Sequence, residues 1–472
     1  MTRAGRMNAL IDALCAGLVE RRRHMRLALL AALAGEHTLL IGPPGTAKSE
    51  LSRRLHTAFR DARYFERLLT RFSVPEELFG PLSIRALEED RYERQTAGFL
   101  PEASIAFIDE VFKANSAILN ALLTLLNERE FDNGAGRQRC PLISVIGATN
   151  AVPEDEVGEA FFDRFLMRLP VAAVSEAGFG DLLKVSRGDT PVVPIASELA
   201  LDSRDLATLD DAAGRVDLPA PVAALLAELR RRCAAGEIIV SDRRWVKIVW
   251  LLRIAAAASG HASISPWDLL LLPHCTAHDA ERQAVVIDWL TARLGVREAF
   301  SPALLTRVVE AFEAQLDLEQ KANDLDYDES GRLKFSAATV AADIADNIGD
   351  AKGGSAALRM TYTRRRSYGR RHVEARVGQI DGLLARIDGY ADEVAQVRHE
   401  LEAYSACNLW VEETLLDRVA ANLAGTAADI AGLAERVRST REGFLALPRL
   451  ERDDVHNDRV PEPVAHEGLA TP

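Results

Sequence analysis

Thr38-Leu39-Leu40-Ile41-Gly42-Pro43-Pro44-Gly45-Thr46-Ala47-Lys48-Ser49 is the stretch on which the fold depends. Four residues, TLLI, read as a short buried strand, and a helical pattern begins at the lysine. A glycine-bearing loop between strand and helix is a phosphate cradle. Glycines let backbone N–H groups converge on phosphate oxygens, and the helix N-terminus adds partial positive charge. In that cradle Lys48 would reach the β- and γ-phosphates, and Ser49 would ligate Mg²⁺. The general pattern has glycine before the lysine, whereas this chain has Ala47.

Downstream, residues 105–110 (IAFIDE) form a second apolar run that ends in two acids. Carboxylates at the end of a buried strand are costly unless something uses them. Asp109 is placed to hold Mg²⁺ through water, and Glu110 to orient and activate an attacking water. Residues 143–149 (ISVIGAT) make a third strand, and residues 62–69 an edge strand. Residues 117–127 have helical spacing, and Asn133-Gly134 signals a hairpin turn before the third strand. Strands alternating with helices predict an α/β fold with a parallel sheet covered by helices.

The 472 residues suit about two to four domains. A hydrophobic share of 48% and a charged share of 27% are those of a soluble globular chain. A net charge of −13 disfavours a global nucleic-acid binder, though not a local basic groove. Five scattered cysteines without a C-x-x-C argue against a disulfide framework, and the expected compartment is cytoplasmic. No uncharged apolar run approaches the roughly 18 residues of a spanning helix.

Beyond residue 181 the strand signal fades. Residues 216–260 and 265–294 read as helices, with Ser241 and Ser265 as caps. Residues 301–320 form another helix. Val373, Ile380, Ile387, Val394 and Leu401 sit seven apart, as do Leu416, Leu423, Ile430 and Val437, which predicts an antiparallel helical hairpin. The expected domains are a nucleotide-binding core (1–180), a helical lid (181–290), a discontinuous three-helix domain (291–322 and 372–446), an inserted element (323–371) and a disordered tail (447–472).

Four segments together resemble the MoxR branch of AAA+ ATPases, and the RavA-like subgroup in particular. They are GPPGTAKS, FIDEVFKANSAILNALLTLLNEREF, GATN and DRF, and the similarity is good from about residue 15 to 290. Ala47 before the lysine is typical of that branch. The resemblance implies that Asn150 is the sensor-1 amide between γ-phosphate and water. It implies an arginine finger at Arg164, with Arg168 as the alternative, and a sensor-2 arginine at Arg243, with Arg244 as the alternative. It further implies ATP and Mg²⁺ as cofactors, a ring (a hexamer in such families), chaperone-like remodelling of a protein target and a VWA-domain partner. The rival expectations are a nucleic-acid-directed AAA+ motor and a nucleotide-gated scaffold with little turnover.

Several other features have blander readings. His274 and His278 have metal-like spacing but lack a completing ligand, so helix-end packing accounts for them better. Arginines interleaved with Tyr362 and Tyr368 in residues 359–371 suit nucleic acid, an acidic protein or the acidic residues 324–330. Arg21-Arg22-Arg23-His24 reads as a solvated helix face. Residues 79–101 match a family insertion that points toward the ring pore.

Overall fold

The structure, a computed structural model, describes residues 2–134, 136–152, 156–186, 195–277, 279–296, 302–324, 364–450 and 460–466. It divides into two compact units, Met1–Leu294 with Glu400–Ala420, and Gly295–His399 with Ala421–Pro472.

The first unit is built on β1 (His37–Ile41), β2 (Tyr64–Leu68) and β3 (Ile105–Asp109). A small antiparallel hairpin follows, β4 (Glu130–Asp132) and β5 (Arg137–Arg139), and then β6 (Ser144–Thr149) and β7 (Phe165–Pro170). The five long strands form one sheet in the order β2-β3-β6-β1-β7, and every pairing is parallel. The α/β expectation therefore holds. The inner strands are almost wholly buried and read as continuous apolar runs, as strands covered on both faces do. β2 lies at the edge, where Phe65 enters the core while Glu66 accepts from the Arg53 guanidinium.

Register positions the chemistry. Ile41 pairs with Thr149 and with Pro170, and Ile108 pairs with Gly147. The segments that follow β1, β3 and β6 thus emerge along one edge of the sheet. Gly147 is glycine for lack of room, since a Cβ there would meet the Phe165 ring at 2.8 Å.

Helices Ser203–Gly214, Ala220–Ala235, Asp242–Ser259 and Ala280–Arg293 follow the sheet in the chain. The expected run from 216 to 260 is two helices, because Gly236 and the left-handed Glu237 (φ 56°) break it. The Ser241 side chain accepts from Arg244 N, and Ser265 and Asp268 form a capping box, so both expected caps are present. The solvated-face reading of 21–24 is corrected: Arg21, His24 and Arg26 are buried. Apolar helix Arg22–Leu33 lies against the sheet; Arg21, just before it, donates to Ala172 O, Arg23 pairs with Glu412, and Arg22 stays exposed beside Asp12.

In the second unit, helix Pro302–Lys321 is joined by the arms of a long hairpin, Arg370–Cys407 and Glu413–Leu445. Heptad residues Val373, Ile380, Ile387, Val394, Ile430 and Val437 are all buried in its core. Three expectations change. The hairpin's turn belongs to the first unit, where the Trp410 indole N–H donates to Ala255 O at 3.0 Å. The tail is not wholly free: Leu447 and Val464 are buried, and Arg376 donates to Glu462 O at 2.7 Å. Arg364–Arg365 pairs with Asn323–Asp324 as a two-stranded ribbon, and the insertion between them, including Tyr362, lies outside the described residues. No helix among the described residues is long and apolar enough to cross a membrane.

Candidate active site at the sheet edge

The loop from Gly42 to Ala47 turns sharply after β1. Gly45 (φ 78°) and Ala47 (φ 64°) are both left-handed. For alanine that conformation costs roughly 1–2 kcal/mol, so neighbouring contacts must hold it. Gly42 has no space for a side chain, because a Cβ would sit 2.0 Å from Val171 O. Lys48 opens helix Lys48–His56, and its ammonium donates to Gly42 O (2.7 Å) and Pro43 O (2.8 Å). The Thr46 hydroxyl donates to Pro43 O as well. Burial lowers the Lys48 pKa, while the Asp109 and Glu110 carboxylates act to raise it, so the two acids face this cation.

Asp109 ends β3, and its carboxylate accepts from Glu110 N at 3.0 Å. Glu110 is left-handed (φ 51°), which turns its side chain out of the strand's alternation. It faces Lys113 at 3.4 Å. Asn150 directly follows β6 and is exposed. The bond from Gly42 N to Thr149 O (2.9 Å) stitches its strand to the start of the phosphate loop. Lys48, Ser49, Asp109, Glu110 and Asn150 therefore lie together beyond the carboxyl ends of the strands.

Beside the loop lies a cavity of about 650 Å³, which the sequence reading missed. Leu18 and Val19 form one wall, and Val174, Phe179 and Leu182 another, with Pro43–Ala47 as the floor. Its apolar walls and adjacent phosphate loop suit a nucleotide base. The lining comes from three segments far apart in sequence, and only the phosphate loop among them carries a local signal.

The arginines separate into two kinds. Arg168 lies within β7, fully buried, with its guanidinium 4.1 Å from the Phe162 ring centre. Arg244 is also buried and donates to Asp163 O, Phe165 O, Leu166 O and Cys275 O. Both are spent on the interior and neither is available to a nucleotide. Arg243 is exposed. Burial and the adjacent Arg243 cation depress the Arg164 pKa, so these two arginines are neighbours. They do not stand with Lys48. His37 pairs with Phe165, which puts Arg164 at the edge where β1 begins, about 20 Å from the loop at ~3.3 Å per residue.

Comparison with known proteins adds the family. The MoxR domain of the MoxR-vWA-beta-propeller ternary systems matches residues 5–210, and an AAA lid domain matches residues 221–290. The uncharacterized protein MJ0079 of Methanocaldococcus jannaschii is 39% identical over 269 residues, 57% of this chain and 69% of that one. MJ0812 of the same organism is 40% identical over 257 residues, 54% of this chain and 67% of that one. Protein MoxR of Paracoccus denitrificans is 30% identical over 157 residues, 32% of this chain and 45% of that one. The chain belongs to the MoxR family of AAA+ ATPases.

This MoxR-family protein keeps the acids and the phosphate loop together without help from the lid. Its exposed arginine at 243 lies near enough to Arg164 for its charge to act on that side chain. The insertion at residues 79–101 and the β4–β5 hairpin are joined, since Asn133 Oδ1 accepts from Arg94 N (2.7 Å) and its amide donates to Arg94 O (3.3 Å). His274 is a buried packing residue that meets Gln283 at 3.2 Å, and His278 lies outside the described residues.

Proposed function

We propose that this MoxR-family chain hydrolyses ATP as a ring, a hexamer by family resemblance, and uses the reaction to remodel or assemble a protein target. The observation that carries the reading is the grouping of Lys48, Asp109, Glu110 and Asn150 at the carboxyl ends of the strands, with Arg164 at the amino end of β7. The loop N–H groups and Lys48 bind the phosphates, and the apolar cavity takes the base. Glu110 accepts a proton from the water that attacks the γ-phosphorus, the bond to the bridging oxygen breaks, and ADP and phosphate result. Asn150 orients that water. A magnesium ion, held by Ser49 and through water by Asp109, would neutralise charge on the β- and γ-phosphate oxygens.

Arg164 and Arg243 would serve the nucleotide of the neighbouring copy, where an arginine supplied in trans stabilises the transition state. A VWA-domain partner is supported by the ternary systems after which the matching domain is named. The RavA-like resemblance makes the insertion after Asn323 a further partner element. A cytoplasmic setting suits the five free cysteines. The nucleic-acid reading loses support, because Tyr368 is buried with its hydroxyl on Glu319 O and cannot stack on a base.

The test is steady-state ATPase activity of the wild type and Glu110→Gln, each sized by light scattering with ATP and Mg²⁺. Turnover by the wild type alone, with both proteins assembling, supports the reading. A wild type that stays monomeric and inactive favours the scaffold. Equal activity in both proteins removes Glu110 from its role.

A further inference from the structure

We propose that Arg21 is a positioning residue for the phosphate-binding loop and acts through the Thr46–Ala47 peptide. This rests on the nucleotide reading above. Arg21 precedes helix Arg22–Leu33 and is only 4% exposed. Its Nε donates to Thr46 O at 3.1 Å, its Nη2 to Ala172 O at 2.7 Å and its Nη1 to Glu20 O at 3.0 Å. The planar fork is filled by backbone carbonyls from the loop, from the segment after β7 and from its own turn. A lysine could not make all three contacts from one nitrogen with that geometry.

The consequence follows from peptide geometry. A trans peptide points its C=O and N–H to opposite sides. Holding Thr46 O toward Arg21 therefore turns the Ala47 N–H away from it, toward the concave side of the loop that would receive phosphate. This peptide is also the one in need of support, because Ala47 is left-handed (φ 64°) where the general motif has glycine. Glycine takes that conformation freely, whereas alanine resists it. The bonds from Thr46 Oγ1 and Lys48 Nζ to Pro43 O close the loop from within. Arg21, which also lines the neighbouring cavity, braces it from that side. Arg21 also ties the loop to Ala172, next to Val171, whose amide donates to Ile41 O and whose carbonyl abuts Gly42. The guanidinium therefore spans both sides of the loop's root.

The experiment titrates ADP and AMP, each with Mg²⁺, into the wild type, Arg21→Gln, Arg21→Lys, Ala47→Gly and the double variant Arg21→Gln/Ala47→Gly. Calorimetry gives the affinities, and thermal melting runs alongside. Arg21→Gln is expected to weaken ADP binding about tenfold, the scale of one charge-assisted hydrogen bond. AMP, which lacks the second phosphate, should weaken less, so the ADP-to-AMP affinity ratio falls. Adding Ala47→Gly should restore at least half of the loss on a logarithmic scale, because glycine holds the left-handed turn unaided. An unchanged ratio in folded Arg21→Gln overturns the proposal. So does an equal loss for both nucleotides with no recovery in the double variant, which is the signature of a merely structural arginine. If Arg21→Gln does not fold, Arg21→Lys carries the same comparison, since it keeps the charge and stem but not the fork. A wild type that binds no ADP removes the nucleotide reading and this proposal with it. A wild type that binds ADP beside unaffected variants removes this proposal alone.

Discussion

Gly42 and Arg164 stand at opposite ends of the neighbouring strands β1 and β7. The phosphate loop leaves β1 where Ile41 pairs with Pro170, and Arg164 enters β7 where Phe165 pairs with His37. No side chain spans that distance, so a finger at Arg164 must act on another copy. Arg164→Ala and Glu110→Gln are each expected to be inactive alone, and mixing them should restore part of the activity. In a mixed ring some interfaces combine the intact acid of one variant with the intact arginine of the other. ATPase assays over a range of mixing ratios check this, and a flat, inactive series would sink the trans assignment.

Glu110→Gln removes the proton acceptor but keeps the shape of the side chain. Turnover is expected to fall about 10²–10⁴-fold, the range for loss of general-base catalysis, while ATP affinity stays within a few-fold. Single-turnover hydrolysis alongside equilibrium binding separates the two effects.

Arg243 and Arg244 are adjacent in sequence and opposite in consequence. Arg244→Ala leaves the carbonyls of Asp163, Phe165, Leu166 and Cys275 without this donor and removes the nearest of the three arginines around the Asp163 carboxylate. A loss of about 3–5 kcal/mol is expected, as for one partner of a buried charged network. Arg243→Ala should change stability by less than about 0.5 kcal/mol. Chemical denaturation of both variants measures the contrast.

Asn133 fastens the β4–β5 hairpin to the insertion through both atoms of its amide. Asn133 is buried, and Asn133→Ala leaves Arg94 N and Arg94 O unpaired at a half-buried position, a cost of about 1–3 kcal/mol. Faster amide exchange confined to the region around residues 80–98 and 130–139 is the expected readout. Unchanged protection there would show that the two hairpins are held by other contacts.

Burial pushes the Asp268 pKa from its ordinary 3.8 up to about 6, against hydrogen bonds from Tyr404 and Ser265 that lower it. A carboxyl whose pKa is raised in the folded state favours folding when protonated. Its contribution is complete below about pH 4 and is lost as pH rises through 6. Relative to Asp268→Asn, wild-type stability should fall by about 3 kcal/mol across that window, with little further change above it. Melting curves of both proteins from pH 4 to 7.5 test this, and parallel profiles would count against it.

The phosphate loop, both acids and the individual strands were legible in the sequence because each depends on residues close together in the chain, whereas Asn150 came from the family resemblance. A strand, a loop and a helix start are local patterns, and so are Ser241, Ser265 and the seven-residue spacing of Val373 to Val394. Arg243 and Arg244 offered no local distinction, and only strand register and burial separate them. The same holds for Arg21: a basic run reads as solvated until the carbonyls of Thr46 and Ala172, one of them 151 positions away, are brought to its guanidinium. The base cavity and the hairpin turn seated by Trp410 likewise join distant segments. Sequence specified what each short segment could do. Tertiary packing decided which charges were spent on the interior and which remained for chemistry, because desolvation and hydrogen-bond partners exist only once the chain has folded.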